Sequence, residues 1–415
     1  MVRGIILVVA LSGLVSIAAG CRGDEDGAGT GDDGRALIEK AIEAMGGDAA
    51  LAKVRGGRFR SEGEFTMGAM TSPYTSEMVW IRPDRIVWEM ESGGVKGSMG
   101  LDGETAWSAF MAPAARVRGP AKEGILEWPL QWDTMLLRPL LHRDDVEIRS
   151  AGTEGDEERV QVIVGGKTWT LGFRTEGGAT RMVSATGPVT QQDGRMGTLF
   201  GTYSEPKEFD GITLPSHMEM EIHVDGKVYH SMKETILEVE WNPEVTDETF
   251  RMPELSPVPE EASLKDAPAF TGLVVVHEGP YDTLSESFEK AFRLAGETGV
   301  MFLPQATCIY LNDPSAVADP KDLRTQVIVP LMVMGEIPKA PEGSEIVEFE
   351  GIRVAGRMVR GPYGATEGEV IRGIMEWLPT QELGPGGPPR VVYFHDPSNT
   401  VPEDQLCEVQ VPVAE

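Results

Sequence analysis

Four tyrosines stand at matching places in two runs of sequence near the C-terminal end of the chain, and their chemistry suits binding. Tyr281 closes His277-Glu278-Gly279-Pro280-Tyr281, and Tyr363 closes Val359-Arg360-Gly361-Pro362-Tyr363. Tyr310 opens Tyr310-Leu311-Asn312-Asp313-Pro314, and Tyr393 opens Tyr393-Phe394-His395-Asp396-Pro397. A tyrosine offers a flat apolar wall and one directional hydroxyl, so a group of them suits flat or lipophilic ligands and demands no charge. Trp377 extends the aromatic set. For Tyr281 and Tyr363 a second reading stands beside this one, in which each plugs the corner between a strand and a helix.

The spacing says as much as the residue types. The Gly-Pro-Tyr blocks lie 82 positions apart and the Asp-Pro blocks 83; Val327-Ile328-Val329-Pro330 and Val409-Gln410-Val411-Pro412 are again 82 apart. Three landmarks in register mark an internal duplication, with repeats of about 271–332 and 345–413. Each copy reads as strand, helix, strand, strand, with first strands at 273–276 and 352–359. The helices open on Thr283 with Glu286 and on Thr366 with Glu369, the spacing of a capping box.

Other chemistry is sparse. The six histidines show no metal-ligand spacing, so no metal is expected, and no Gly-x-Ser-x-Gly elbow occurs. His217 and His223 flank one expected strand and His230 opens the next, so the three could meet, but solvent-facing strand positions are expected. Gly29-Thr30-Gly31-Asp32-Asp33-Gly34 has the form of a dinucleotide loop, but acidic residues fill it and no strand precedes it. No cofactor is expected. Cys308 and Cys407 fall on non-equivalent strands of the two copies, and two buried thiols are expected rather than a disulfide.

The 415 residues leave room for two or three domains. With 37 basic against 66 acidic residues the formal charge is −29, which argues against nucleic acid and anionic lipid surfaces as partners, since phosphates need a basic footprint. Residues 1–21 read as a targeting segment: Arg3, an apolar run from Ile5 to Ala19, then Gly20-Cys21. This resembles the bacterial lipoprotein signal, although Ala18 stands where that family usually carries Leu. The resemblance implies that Cys21 is lipidated and becomes the mature N-terminus. Arg22 after it implies an outer-membrane anchor facing the periplasm. Residues 22–34 are an acidic, Gly-rich tether expected to be disordered.

A helix is expected next, from the spacing of Ala36, Ile38, Ala41, Ile42 and Met45, ended by Gly46-Gly47. Strand-like runs then dominate to residue 252, interrupted by one helical stretch at 124–141. This is an α+β pattern, an antiparallel sheet with one or two helices laid on it. Ala44-Met45-Gly46-Gly47, Pro83-Asp84-Arg85, Asp102-Gly103-Glu104-Thr105-Ala106-Trp107 and Phe209-Asp210-Gly211-Ile212-Thr213-Leu214-Pro215 follow in order. Together they resemble the LolA-like family over 35–252. The resemblance implies a curved, incomplete β-barrel closed by helices around an apolar hollow able to hold acyl chains. Trp80, Trp88, Trp107, Trp128 and Trp132 either line such a hollow or pack as ordinary core. Residues 253–270 carry Pro253, Pro257, Pro259 and Pro268 among acidic residues and read as an extended linker.

The duplicated blocks resemble the GyrI-like domain, the effector-binding domain of AraC- and MerR-type regulators, over 271–415. The resemblance implies two strand-helix-strand-strand modules about a pseudo-two-fold axis, with a central groove for small, lipophilic and often cationic molecules. A minority of that family hydrolyses electrophiles. Many members carry a Glu two residues before the second Asp-Pro tyrosine; here that position is Val391, and its mate in the first copy is Cys308. Valine can neither attract a cation nor act as a base, so Glu376 or Glu278 would have to supply the charge. The implied ligand-binding residues are Tyr281, Tyr310, Tyr363, Glu376, Trp377, Val391, Tyr393 and Cys308, with none assigned to catalysis. The expected function is non-enzymatic capture of a lipophilic small molecule or acyl chain by a protein held to the membrane through its N-terminal lipid. A hydrolase using Glu376 or Glu278 and a purely structural envelope protein stand as alternatives. Transcriptional control is not expected, because no helix-turn-helix precedes the domain and the chain is exported.

Overall fold

The computed structural model describes residues 31–68, 70–191, 195–255, 257–314, 316–333 and 335–414; the targeting segment, Cys21 and tether residues 22–30 lie outside the described residues. Two compact units form, one from 31–106 with 120–251 and one from 107–119 with 252–414.

The first unit opens on α1 (Gly31–Met45), so residues 31–34, assigned above to the tether, are helical. Asp32 and Asp33 suit a first turn, where backbone N–H groups point outward. The stripe Leu37, Ile38, Ala41, Ile42 and Met45 is buried, and Gly46 at φ 125° ends the helix. After α2 (Asp48–Leu51) come β1 (Gly56–Met67), β2 (Met70–Ile81), β3 (Arg85–Ser92), β4 (Val95–Asp102) and β5 (Thr105–Ser108), whose end pairs with β6 (Ala115–Arg116) of the 107–119 segment that belongs to the second unit. The stretch expected as one helix is three, α3 (Gly119–Leu126), α4 (Trp128–Leu136) and α5 (Arg138–Leu141). Pro129 and Pro139 each sit in the first turn of a new helix, and Leu137 between α4 and α5 takes φ 58°. Then follow β7 (Val146–Glu154), β8 (Glu157–Val164), β9 (Lys167–Glu176), β10 (Ala179–Thr190), β11 (Met196–Phe209), β12 (Ile212–Val224) and β13 (Lys227–Trp241).

These strands make one sheet in the order β6-β5-β4-β3-β2-β1-β13-β12-β11-β10-β9-β8-β7, two meanders joined where β1 pairs with β13. The turns at Gly165-Gly166 and Asp225-Gly226 hold both residues at positive φ, the hairpin geometry that matches strand twist. Accumulated twist curls this open sheet into a half-barrel. Along β1 the two faces are unlike. Arg58 and Arg60 pair with Glu77, Glu238 and Glu240 on the outside, while Phe59 faces Trp132 of α4 at 4.3 Å between ring centres. The helix-covered face is therefore the one carrying Phe59.

The second unit contains β14 (Ser263–Ala267), β15 (Phe270–Glu278), α6 (Leu284–Glu297), β16 (Ala306–Tyr310), β17 (Arg324–Leu331), β18 (Glu345–Phe349), β19 (Ile352–Arg360), α7 (Glu367–Trp377), β20 (Arg390–Tyr393) and β21 (Leu406–Pro412). Part of the expected linker is thus strand β14. The sheet order is β14-β19-β21-β20-β16-β17-β15-β18, which reads the same outward from the β20/β16 centre in both directions. Each copy also lends an arm to the other: β14 precedes β15 but edges β19, and β18 precedes β19 but edges β15. Equivalent backbone bonds recur, Gly279 N–H to Leu323 O and Gly361 N–H to Gln405 O, both 2.9 Å. One face of the sheet packs on α6 and α7 around Leu273, Val327, Val329, Val409, Val411, Leu294 and Ile374.

Residues 107–119 dock on the second copy of this unit. Asp404, only 5% exposed, accepts from the Arg116 backbone N–H at 2.9 Å and from its guanidinium at 2.7 and 2.9 Å. Desolvation works against ionisation of Asp404, but the Arg116 bonds outweigh it and hold the carboxyl below its usual range. A depressed folded-state pKa stabilises above the unfolded value and loses that contribution as pH falls through the folded one. Arg116→Ala should therefore cost about 1–3 kcal/mol at pH 7, discounted for the half-exposed arginine, because it strands a buried carboxylate. In urea melts the gap to wild type should narrow below about pH 3.9; a pH-independent gap would contradict this role.

Candidate functional site

The centre of the second unit is set by register. On β16 and β20, Cys308 lies opposite Val391 and Ala306 opposite Tyr393. Cys308 and Val391 are each other's counterparts in the duplication, so the pseudo-two-fold axis passes between them. Both are fully buried, with 0% exposure, and form the floor rather than the wall of the site. Two residues further along their strands stand Tyr310 and Tyr393, on the face that carries the helices.

Their hydroxyls meet at 3.1 Å. Tyr281 sets its ring edge-on to Tyr310 at 5.2 Å, and Tyr363 does the same to Tyr393 at 4.7 Å. The four tyrosines thus form one chain across the axis, with Phe288 of α6 edge-on to Tyr393 at 5.6 Å. Trp377, at the end of α7, packs half-buried against the same core. Burial chiefly pushes the Tyr310 and Tyr393 hydroxyls above the usual phenol range, so both stay protonated at neutral pH. A hydroxyl pair carries two protons and uses one between them, which leaves one O–H to offer an acceptor.

The flanking tyrosines differ. The Tyr363 hydroxyl donates to Leu406 O at 2.9 Å and accepts the His395 backbone N–H at 3.1 Å, so it does plug its corner. The Tyr281 hydroxyl is buried with no partner among the described residues. The corners are also braced differently. In the first copy His277 bonds Ser287 at 2.9 Å and Pro280 O at 3.1 Å. In the second, Glu367 accepts the backbone N–H groups of Gly364 at 2.7 Å and Thr366 at 3.1 Å. Neither Thr283 nor Thr366 caps its helix through its side chain, so the expected capping boxes do not form.

Glu367 is the buried carboxylate that sequence reasoning missed. It is 5% exposed, and its charge adds to burial in raising the Tyr310 and Tyr393 hydroxyls and the Cys407 thiol. The only available signal was its place at a helix start beside Thr366, which reads as ordinary capping. The carboxylates considered for a ligand or for hydrolysis lie elsewhere. Glu376 is exposed on α7, and Glu278 makes a surface ion pair with Arg324 at 2.8 Å. Cys308 and Cys407 are both free and buried.

Residues 107–119 reach the site from outside the duplication, through Pro113 and Met111. His395 accepts the Leu406 N–H on Nδ1 at 3.1 Å, which leaves Nε2 to donate to Pro113 O at 2.9 Å. Burial lowers its pKa, so this neutral form persists at neutral pH. Met111 packs on the same core as the tyrosines.

Residues 260–414 match the profile of the GyrI-like small molecule binding domain. This stretch is a GyrI-like domain. Its duplicated topology and axis are those described above. Among solved structures, an uncharacterized conserved protein from Listeria innocua is 16% identical with a TM-score of 0.32, covering 38% of this chain and 94% of that one. A LolA superfamily protein from Nitrosomonas europaea is 11% identical with a TM-score of 0.35, covering 52% of this chain and 97% of that one. A DUF1329 family protein from Desulfovibrio piger is 10% identical with a TM-score of 0.36 and covers 52% and 97%. A search of curated proteins found no match.

The two outer tyrosines of the GyrI-like domain should separate by mutation. Tyr363→Phe leaves a buried N–H and carbonyl without their partner and should cost about 1–3 kcal/mol. Tyr281→Phe removes a hydroxyl that bonds nothing and should stay within about 0.5 kcal/mol of wild type. Thermal melts read both, and equal losses would refute the asymmetry.

Proposed function

We propose that this chain is a binding protein of the cell envelope that captures a neutral, lipophilic molecule bearing a hydrogen-bond acceptor in the groove of its GyrI-like domain. The observation that carries this is the Tyr310–Tyr393 hydroxyl pair at the axis, 3.1 Å apart and ringed by aromatic side chains. It offers one O–H in an apolar setting, and the nearby carboxylate of Glu367 is already engaged by two backbone N–H groups. Such a site rewards a flat ligand with one well-placed acceptor.

The envelope part of the proposal rests on residues 1–21, with Cys21 as the lipidated residue. Among the described residues no helix is long and apolar enough to cross a membrane, so attachment through the N-terminal lipid would hold the protein at the surface of the bilayer. A mature N-terminus that begins at Cys21 and carries the mass of acyl chains supports the anchor; an unmodified one contradicts it.

Nile red, a neutral dye with a carbonyl acceptor, tests the groove in the whole protein. Replacing both Tyr310 and Tyr393 by Phe keeps the rings and removes the hydroxyls. Nile red affinity should fall about tenfold, ~1.4 kcal/mol, the worth of one hydrogen bond. Unchanged affinity in a folded double variant would remove the pair from the site.

A further inference from the structure

In a chain whose formal charge is −29, one small cavity of the first unit is lined by three arginines and no carboxylate. Arg55 comes from the turn between α2 and β1, Arg82 directly follows β2, and Arg138 opens α5. Leu51, Leu136 and Pro139 add an apolar wall. The cavity measures about 40 Å³, room for about three water molecules, so it fits a compact group rather than a nucleotide or a chain.

The backbone fixes where these arginines start. The Arg55 N–H donates to Asn242 Oδ1 at 2.6 Å and its carbonyl accepts the Arg82 N–H at 2.9 Å, which ties the two segments together. Arg138 donates from Nε to Asp48 Oδ1 at 2.7 Å. It follows Leu137, which takes φ 58° and closes α4 through its N–H to Asp133 O at 2.9 Å. A residue with a Cβ disfavours positive φ, and such strain gathers at sites of function.

Charge around the cavity does not balance. Asp133 is shared, meeting Arg82 Nη2 at 2.9 Å and Arg143 Nη1 at 3.1 Å. Asp48 serves Arg138, and the Arg55 guanidinium has no partner among the described residues. Arg82 keeps 29% of its side chain accessible. Burial lowers its pKa, Asp133 opposes that, and the like charges of Arg138, Arg55 and Arg143 lower it further. Packing gains nothing by gathering guanidinium groups around one space, since like charges repel. An anion between them turns that repulsion into attraction. The acidic surface does not bar its entry, because at physiological salt that field is screened over about 8 Å. Three arginines on three segments can each meet a different oxygen, which a tetrahedral phosphate offers and a two-oxygen carboxylate does not. We infer that this cavity binds a phosphate group, free or as the end of a small soluble ester, through Arg55, Arg82 and Arg138. The site shares no residue with the tyrosine groove of the GyrI-like domain.

Isothermal titration of the whole protein with inorganic phosphate and with glycerol 3-phosphate, at constant ionic strength, tests it. At least one of the two should bind saturably at one site per chain and raise Tm as its concentration rises. Arg55→Gln removes a charge that pairs with nothing, so it should weaken that ligand about tenfold and leave Tm in ligand-free buffer unchanged. Arg138→Gln should weaken it by a similar factor. Arg60→Gln, at an ion-paired arginine outside the cavity, should bind as wild type does. Tighter binding of glycerol 3-phosphate than of phosphate would support the ester as the source. No saturable binding of either soluble ligand, including the case where only phosphatidic acid vesicles bind, would overturn the proposal. So would an unchanged affinity in both cavity variants, or an equal loss in Arg60→Gln.

Discussion

Antiparallel pairing of β16 with β20 is the constraint on which the second unit rests. Two copies of one module can share a sheet about a two-fold axis only if the strands nearest that axis pair with themselves in equivalent register, and here Cys308 faces Val391. That register leaves no freedom in where the tyrosines fall. Each lies two residues beyond the axis, so the hydroxyls converge from opposite strands to 3.1 Å. A slip of one residue would turn both rings to the other face of the sheet. The exchanged arms β14 and β18 strengthen the arrangement, since each copy completes the edge of the other.

Symmetry in the backbone has not kept the side chains symmetric. The second copy ties Tyr363, His395 and Asp404 into a bonded corner, reinforced by Arg116 and Pro113 from residues 107–119. The first copy braces its corner with His277 where the second uses Glu367, and it leaves the Tyr281 hydroxyl idle. The groove therefore has one fixed wall and one adaptable wall, a useful division for a site that must hold its shape and still fit a ligand.

Features governed by local pattern were legible before any coordinates. The duplication, the strand-helix-strand-strand order and the burial of both thiols follow from spacing and alternation alone. The Pro83-Asp84 and Asp210-Gly211 turns were likewise readable, since turn chemistry is local. Features that depend on distant register were not. Glu367 looks like any acidic residue opening a helix until folding sets it beside the tyrosines. The cavity of Arg55, Arg82 and Arg138 joins three distant segments, and no local pattern connects them. Arm β14 was hidden because a short, charged edge strand next to prolines reads as linker; such edges carry charge to discourage further pairing. Residues 107–119 gave no sign that they belong with the second unit.

A ligand held at the axial tyrosine pair must perturb those two rings before any others. The whole protein, with its seven tyrosines labelled with 13C at Cζ, can be titrated with Nile red and followed by NMR. Tyr310 and Tyr393 should shift together and saturate first, with Tyr281 following and Tyr363 held by its bonds. Saturable binding that moves other tyrosines while Tyr310 and Tyr393 stay still would contradict it.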